Sequence, residues 1–316
     1  MVIHRSTFPN IGAELLLTYV GMETDLLFTR GVDLPGFASY PLLESTDGRA
    51  LLEGYLKDMI ALRKDTGMGV ILESPTWVAN RDRGAAIGYN LEQLKQLNQQ
   101  AIALMVEVRT ANGDVPTVIS ANVGPRDDAY ELKDQMSVKD AELYHAEQIS
   151  ALAETDIDVV SGYTLAYAAE AIGIVRAAQS YGLPVVISFT VETDGKLPTG
   201  STLKDAIIKV DTATDGYAAY FMINCAHPDH FTSVLDGGHW MRFIKGIVAN
   251  ASRCSHAELD EAEEVDDGNP TELAEQLSAI RQRFPHINVL GGCCGTDLRH
   301  MAKIAETSVA CTTNPI

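Results

Sequence analysis

The sequence predicts an α/β fold, a (β/α)8 TIM barrel in a single domain over residues 1–316. Three observations predict it. Eight short apolar runs rich in β-formers alternate with eight helix-favouring stretches, the order that builds a closed parallel sheet. The first run leads into Gly21-Met-Glu-Thr24 rather than the G-x-G-x-x-G turn of a doubly wound sheet. No linker, low-complexity tract or short-period repeat divides the chain, and barrels run as one domain well beyond the usual ~150 residues.

The elements follow in order. The first strand is expected over Leu15–Val20, with its helix over Asp47–Thr66. Gly69–Glu73 then leads to Asn90–Arg109, Pro116–Ala121 to Ser137–Glu154, and Asp156–Val160 to Leu165–Tyr181. Pro184–Phe189 leads to Ser201–Asp211, Ala219–Asn224 to Pro228–Leu235, Phe243–Ala249 to Pro270–Arg283, and Ile287–Leu290 to Asp297–Glu306. Helix ends carry their own signals. Ser137-Val-Lys-Asp140 reads as an N-cap with an acidic first turn, and Asn269-Pro270 as an Asn cap followed by proline at the first helical position. Gly182 before Pro184 ends the fourth helix and launches a strand.

Charge narrows the partners. Twenty-four Lys+Arg against 43 Asp+Glu give a formal charge of −19, which repels nucleic acid and anionic membrane surfaces and favours cationic small molecules. No apolar run reaches the ~18 residues of a membrane span, and Glu14 interrupts the one apolar stretch near the N-terminus. The expected location is the cytoplasm. An odd count of five cysteines, two of them adjacent, fits metal binding or catalysis in a reducing compartment better than a disulfide scaffold.

Active sites of barrels gather at the C-terminal ends of the strands. Cys225 directly follows the sixth strand, and Cys293 and Cys294 follow the eighth in Gly291-Gly-Cys-Cys-Gly295. The three thiols converge on one face, a soft ligand set suited to Zn2+ with the fourth tetrahedral position open. A competing set is Cys225 with His227 and His230, which leaves the Gly-Gly-Cys-Cys turn without a purpose. Cys254 and Cys311 are expected to be small buried hydrophobes. A free thiol near pKa 8.5 is mostly protonated at neutral pH, and zinc in the open site removes that proton. Trp77, Tyr89, Tyr130 and Tyr163 sit in or near loops after strands, where aromatic faces are able to meet a cationic ligand.

These motifs resemble the homocysteine S-methyltransferase family. Asn224-Cys225 and Gly291-Gly-Cys-Cys-Gly-Thr296 carry the resemblance, with weaker matches at Gly21-x-x-Thr24-x-Leu26, Gly124-Pro125 and Asn250, over roughly residues 14–306. The resemblance implies a zinc barrel with Cys225, Cys293 and Cys294 as ligands and Asn250 close to the metal. It implies a small-molecule thiol acceptor, usually homocysteine, and a methyl donor that is usually an onium, with methionine biosynthesis as the setting. It places Tyr19, Thr24, Glu73, Trp77, Tyr163, Asn224 and Asn250 around the substrates.

The sequence departs from the family pattern where the acceptor's ammonium is held. Tyr19 stands in place of the usual Asp, and Tyr163 in place of the usual Glu. Glu23, Glu73 or Glu192 is able to supply a carboxylate from elsewhere, but the expectation drawn from the two tyrosines is a small thiol acceptor without an α-amino group that outcompetes homocysteine. The loop Thr190–Gly200 is polar enough for a lid, and the acidic run Glu258–Asp267 reads as a solvated face without a role. The chain is expected to need no nucleotide cofactor or cobalamin of its own; a separate cobalamin protein stays open, as does the oligomeric state. Two alternatives remain beside the S-methyltransferase: a zinc hydrolase on the same barrel, and a non-catalytic zinc- or thiol-binding relative.

Overall fold

Eight parallel strands close on themselves in sequence order in the computed structural model, with Leu16, Leu17 and Thr18 of the first strand paired to Val289, Leu290 and Gly291 of the last. The structure describes residues 4–10, 15–19, 21–64, 66–113, 115–130 and 134–313. Glu14, Val20 and Asp65 lie outside the described residues, as does the side chain of Cys311. The strands are β1 (Leu16–Thr18), β2 (Gly69–Glu73), β3 (Thr117–Val123), β4 (Val159–Leu165), β5 (Val185–Phe189), β6 (Tyr220–Asn224), β7 (Ile244–Ala249) and β8 (Val289–Gly292). The crossover helices are α1 (Thr46–Lys64), α2 (Leu91–Ala111), α3 (Val138–Ala153), α4 (Ala168–Ser180), α5 (Leu203–Ala213), α6 (Pro228–Phe231), α7 (Pro270–Arg283) and α8 (Leu298–Thr313). No helix among the described residues is long and apolar enough to cross a membrane.

The expected elements all form, with two informative shifts. The sixth helix shrinks to the single turn of α6, followed by a 3-10 turn over Thr232–Val234. Strand β4 runs to Leu165, well past the expected end at Val160, and α4 starts correspondingly later at Ala168. The reason is local. The β4–β5 register shifts between Gly162 and Leu165, and Thr164 takes a left-handed φ of 61°. The Asn224 side chain clasps that residue, accepting its N–H at 3.0 Å and donating to its hydroxyl at 2.8 Å. Tyr163 is therefore a strand residue facing the barrel interior.

Alternation along the strands divides the core. One set of residues, including Leu17, Val70, Ile119, Val160, Ile187 and Ile223, packs under the helices. The alternate set fills the barrel. Leu16, Ile71, Val118, Val159, Val186, Met222, Val248 and Val289 make its apolar part. Above them, toward the strand ends, the same faces carry buried Thr18, Glu73, Ser120, Ser161, Ser188 and Asn224. Branched apolar side chains thus seal the lower barrel, and a polar layer supports whatever sits at the top.

Near the other end, Phe8 packs on the Tyr220 ring at 5.7 Å, and Arg5 donates to the carbonyls of Thr155 and Ile157. Asp158, fully buried, accepts Arg109 Nη1 at 2.6 Å, the Ile119 N–H at 2.9 Å and the His4 N–H at 2.8 Å. Removing one partner of such a pair leaves an uncompensated buried charge. Asp158→Ala is expected to destabilise the fold by about 3–5 kcal/mol, read as a lower urea midpoint with an unchanged slope.

Candidate active site

Three cysteine thiols meet at the C-terminal mouth of the barrel, and all three sulfurs lie within 4.8 Å of one another. Cys225 Sγ and Cys294 Sγ are 3.6 Å apart. Strand β7 sets both approaches. The Cys225 N–H donates to Val248 O at 3.1 Å, and the Cys293 N–H donates to Ala249 O at 2.7 Å. Cys225 turns its thiol inward through a left-handed φ of 55°. The turn after β8 needs its glycines. A Cβ on Gly292 would lie 2.2 Å from Thr296 Oγ1, and one on Gly21 would lie 2.3 Å from Cys293 O. Thr296 Oγ1 occupies that space, donating to Cys293 O at 2.7 Å and accepting the Gly21 N–H at 3.2 Å.

The thiols do not share charge equally. Hydrogen bonds from Cys293 and Cys294 pull the Cys225 thiol well below its usual range. The same bonds to Cys225 push Cys293 well up and Cys294 up to about 12. Three thiolates so close repel, and a cation among them is what lets all three ionise. Thr24 and Asn250 line the space at the Cys225 and Cys294 thiols, and Asn250 Oδ1 is buried with no partner. A soft, three-sulfur set with an unpaired oxygen beside it fits a metal ion with one position open.

Two cavities meet at the sulfurs. The inner one, about 50 Å3, runs between Tyr19, Trp77, Asn122, Tyr163 and the thiols. The outer one, about 280 Å3, is walled by Phe28, Phe37, Tyr130 and His256 and by Asp260, Glu264 and Asp266. In the inner chamber the Tyr19 and Tyr163 rings face each other at 6.2 Å. Each hydroxyl is backed by a buried carboxylate. Tyr19 donates to Glu23, which also accepts Ser39 Oγ at 2.8 Å, and Tyr163 donates to Glu73 Oε1 at 3.2 Å. Glu73 also accepts Thr18 Oγ1 at 3.2 Å, and its second oxygen is buried without a partner. Desolvation raises Glu73 to about 7 and raises Glu23 as well.

Residues 21–308 match the family model described as homocysteine S-methyltransferase. The chain belongs to the homocysteine S-methyltransferase family. Among solved structures, the metallated form of the homocysteine methyltransferase MmuM from Escherichia coli aligns with a TM-score of 0.72 at 19% identity, covering 96% of this chain and 99% of that one. Its oxidized form aligns at 0.72 with 20% identity over 93% and 96% of the two chains, and its apo form at 0.66 with 20% identity over 96% and 99%. At such identities the superposition speaks for the barrel, and the family match speaks for thiol S-methyl transfer. No curated protein matches the chain in sequence. Nothing in the site favours the hydrolase or non-catalytic alternatives.

Membership in the homocysteine S-methyltransferase family accords with where the sequence-derived residues fall. Cys225, Cys293 and Cys294 come together, and Tyr19, Thr24, Trp77, Tyr163, Asn224 and Asn250 line one cavity or the other. Trp77 lies edge-on to Phe37 at 6.4 Å, in space that Gly124 leaves open. Asn224 lines the inner chamber, but its amide oxygen is already taken by the Thr164 N–H and Ser188 Oγ, so its first task is to hold β4. Glu73 reaches the chamber only through Tyr163. The competing His227 and His230 do not gather with the thiols: His227 Nδ1 caps α6 by accepting the Asp229 N–H, and His230 Nε2 donates to Arg253 O at 2.9 Å. Tyr89 packs edge-on to Tyr40, and no cavity beside the thiols includes it. Cys254 is half-buried.

Two loops and three single residues near the site add to what the sequence indicates. The 190–200 loop is a packed hairpin with Val191 and Leu197 buried, tied by Thr199 Oγ1 to Ala166 O at 3.2 Å, and does not have the loose build of a lid. The acidic run after β7 is solvated as expected, with Asp260, Glu264 and Asp266 exposed, and these residues together with Leu259 also wall the outer cavity. His256, Ser39 and Asn122 escaped the sequence reading. The Ser255-His-Ala-Glu258 capping box, which starts a short helix at His256, was the one local signal available for it.

Glu73 gives a pH signature. Its folded carboxyl keeps its proton to about 7, against 4.5 for an unperturbed Glu, so the folded state holds more protons between those values. Stability therefore falls as pH rises through that window, by as much as about 3 kcal/mol. Urea unfolding across the window should show that slope, and Glu73→Gln should flatten it.

Proposed function

We propose that this chain is a zinc-dependent S-methyltransferase that moves a methyl group from a small onium donor to a thiol of the homocysteine class, with methionine as the product when homocysteine is the acceptor. The three converging thiols at the junction of two cavities carry this reading. Cys225, Cys293 and Cys294 would hold the ion, whose charge lowers the pKa of an acceptor thiol and keeps it a thiolate at neutral pH.

The chain's own residues do the rest. The inner chamber receives the acceptor with its sulfur toward the cysteine cluster and its other end between Tyr19 and Tyr163. Glu23 lines that chamber, and Glu73 stands behind Tyr163, so carboxylates remain beside the positions where the family's usual acidic residues are replaced. This supports an acceptor that still carries an ammonium group. The outer cavity has the character of an onium site, with the Tyr130, Phe28 and Phe37 rings among Asp260, Glu264 and Asp266. Donor and acceptor then approach the same point from different sides, as an in-line displacement needs. The acceptor S–C bond forms as the bond from methyl to onium breaks, and the leaving group departs neutral. Holding both reactants in that geometry is the main contribution such a site makes to the rate.

Metal content tests the foundation. One zinc per chain is expected by elemental analysis, falling to near zero in Cys293→Ala and in Cys294→Ala; unchanged content in either would remove the ligand assignment. The acceptor has its own test. Losing one charged contact of 1.5–3 kcal/mol should make Glu23→Gln raise KM for homocysteine about ten- to hundredfold. KM for the matched mercapto-acid, which lacks the ammonium, should stay near the parent value. An equal rise for both thiols would show that Glu23 only props Tyr19.

A further inference from the structure

We infer that His256 is a positioning residue that locks the Cys225 main chain in the conformation aiming its thiol at the metal site, an inference that rests on the zinc reading above. Of the three thiols, that of Cys225 alone comes from the β6 end, and it reaches the others only through a left-handed backbone. A non-glycine residue in that region is strained, so something must hold it there. The holding group is visible. His256 Nε2 donates to the Cys225 carbonyl at 2.6 Å, and Thr190 Oγ1 makes a longer contact to the same oxygen at 3.4 Å.

The ring itself is fixed from two further directions. Its Nδ1 lies 3.2 Å from Glu192 Oε2, and the Tyr130 ring stacks on it with centroids 3.7 Å apart and planes 25° from parallel. The carboxylate on one nitrogen aims the other at the carbonyl, and the stack stops the ring from swinging out. Only 8% of His256 is exposed. The residue also begins the short helix His256–Asp260, whose Leu259 and Asp260 wall the outer cavity. One side chain thus ties the donor side of the site to the main chain of a metal ligand. Hydrogen-bonded groups behind metal ligands act on affinity through ligand direction, and their loss commonly costs ten- to hundredfold.

The test is zinc affinity by chelator competition on the full chain, together with the thiolate-to-cobalt absorption of the Co2+-loaded protein. His256→Ala should weaken zinc binding about ten- to hundredfold and alter the cobalt band. His256→Gln, whose amide can still donate to the carbonyl, should recover most of the affinity. Glu192→Gln should weaken binding in the same direction by a smaller factor. An affinity in His256→Ala indistinguishable from the parent overturns the inference, and so does a His256→Gln variant as weak as His256→Ala, since packing alone would then explain the loss. Should His256→Ala fail to fold, Glu192→Gln decides: weakened zinc binding supports the role, unchanged binding overturns it. A parent that takes up no zinc overturns the zinc reading as well, whereas normal uptake with indifferent variants overturns only the role of His256.

Discussion

The end of strand β7 is the constraint on which the site depends. Its carbonyls at Val248 and Ala249 accept the N–H groups of Cys225 and Cys293, so one strand holds the two cysteine segments that flank it. That arrangement exists only because the sheet closes, with β7 hydrogen-bonded to β6 on one side and β8 on the other. The two ladders set the height of each cysteine along the barrel axis, and the adjacent turns set direction. On β6 the turn is a left-handed residue braced by His256. On β8 it is a run of glycines filled by Thr296. Neither turn would bring sulfurs within 4.8 Å without the common support between them.

Desolvation explains the character of the inner chamber. Glu23 and Glu73 are buried at the barrel mouth, where an ionised carboxylate is costly unless it accepts hydrogen bonds. The tyrosines supply those bonds and turn their rings to each other across the chamber. The chamber therefore presents aromatic faces with acidic groups at their edges, a surface able to pack an alkyl chain and meet a polar end. The polar layer of Thr18, Ser120, Ser161 and Ser188 beneath it is the price of placing acids over an apolar barrel. The outer cavity differs because its acids lie in the loop after β7, closer to water, where charge persists and attracts a cation over distance.

Much of this was legible in the linear sequence. The repeated strand–helix order determined the barrel, because each amphipathic helix must cover a strand whose neighbours are already specified by short connections. Asn224-Cys225 and the Gly-Gly-Cys-Cys turn pointed to the three cysteines that the fold brings together, against the competing set of Cys225 with His227 and His230. Tyr19 and Tyr163 stood out only through the resemblance, as tyrosines in place of the family's usual acids, and the fold brings their rings together.

Contacts between distant segments were decided by the tertiary structure. That Glu73 stands behind Tyr163 depends on the relative heights of β2, β3 and β4, a matter of register that no local pattern records. Extension of β4 to Leu165 came from the Asn224 clasp, a side chain from a strand two places away around the barrel. The acidic run after β7 is the solvated face its composition suggests, and the docking of the His256 helix against Cys225 and Tyr130 makes it a cavity wall as well. Sequence determines what each segment can do in its own surroundings. Closure of the sheet decides what those surroundings are, because hydrogen-bond register across eight strands converts residues far apart in the chain into neighbours at fixed distances.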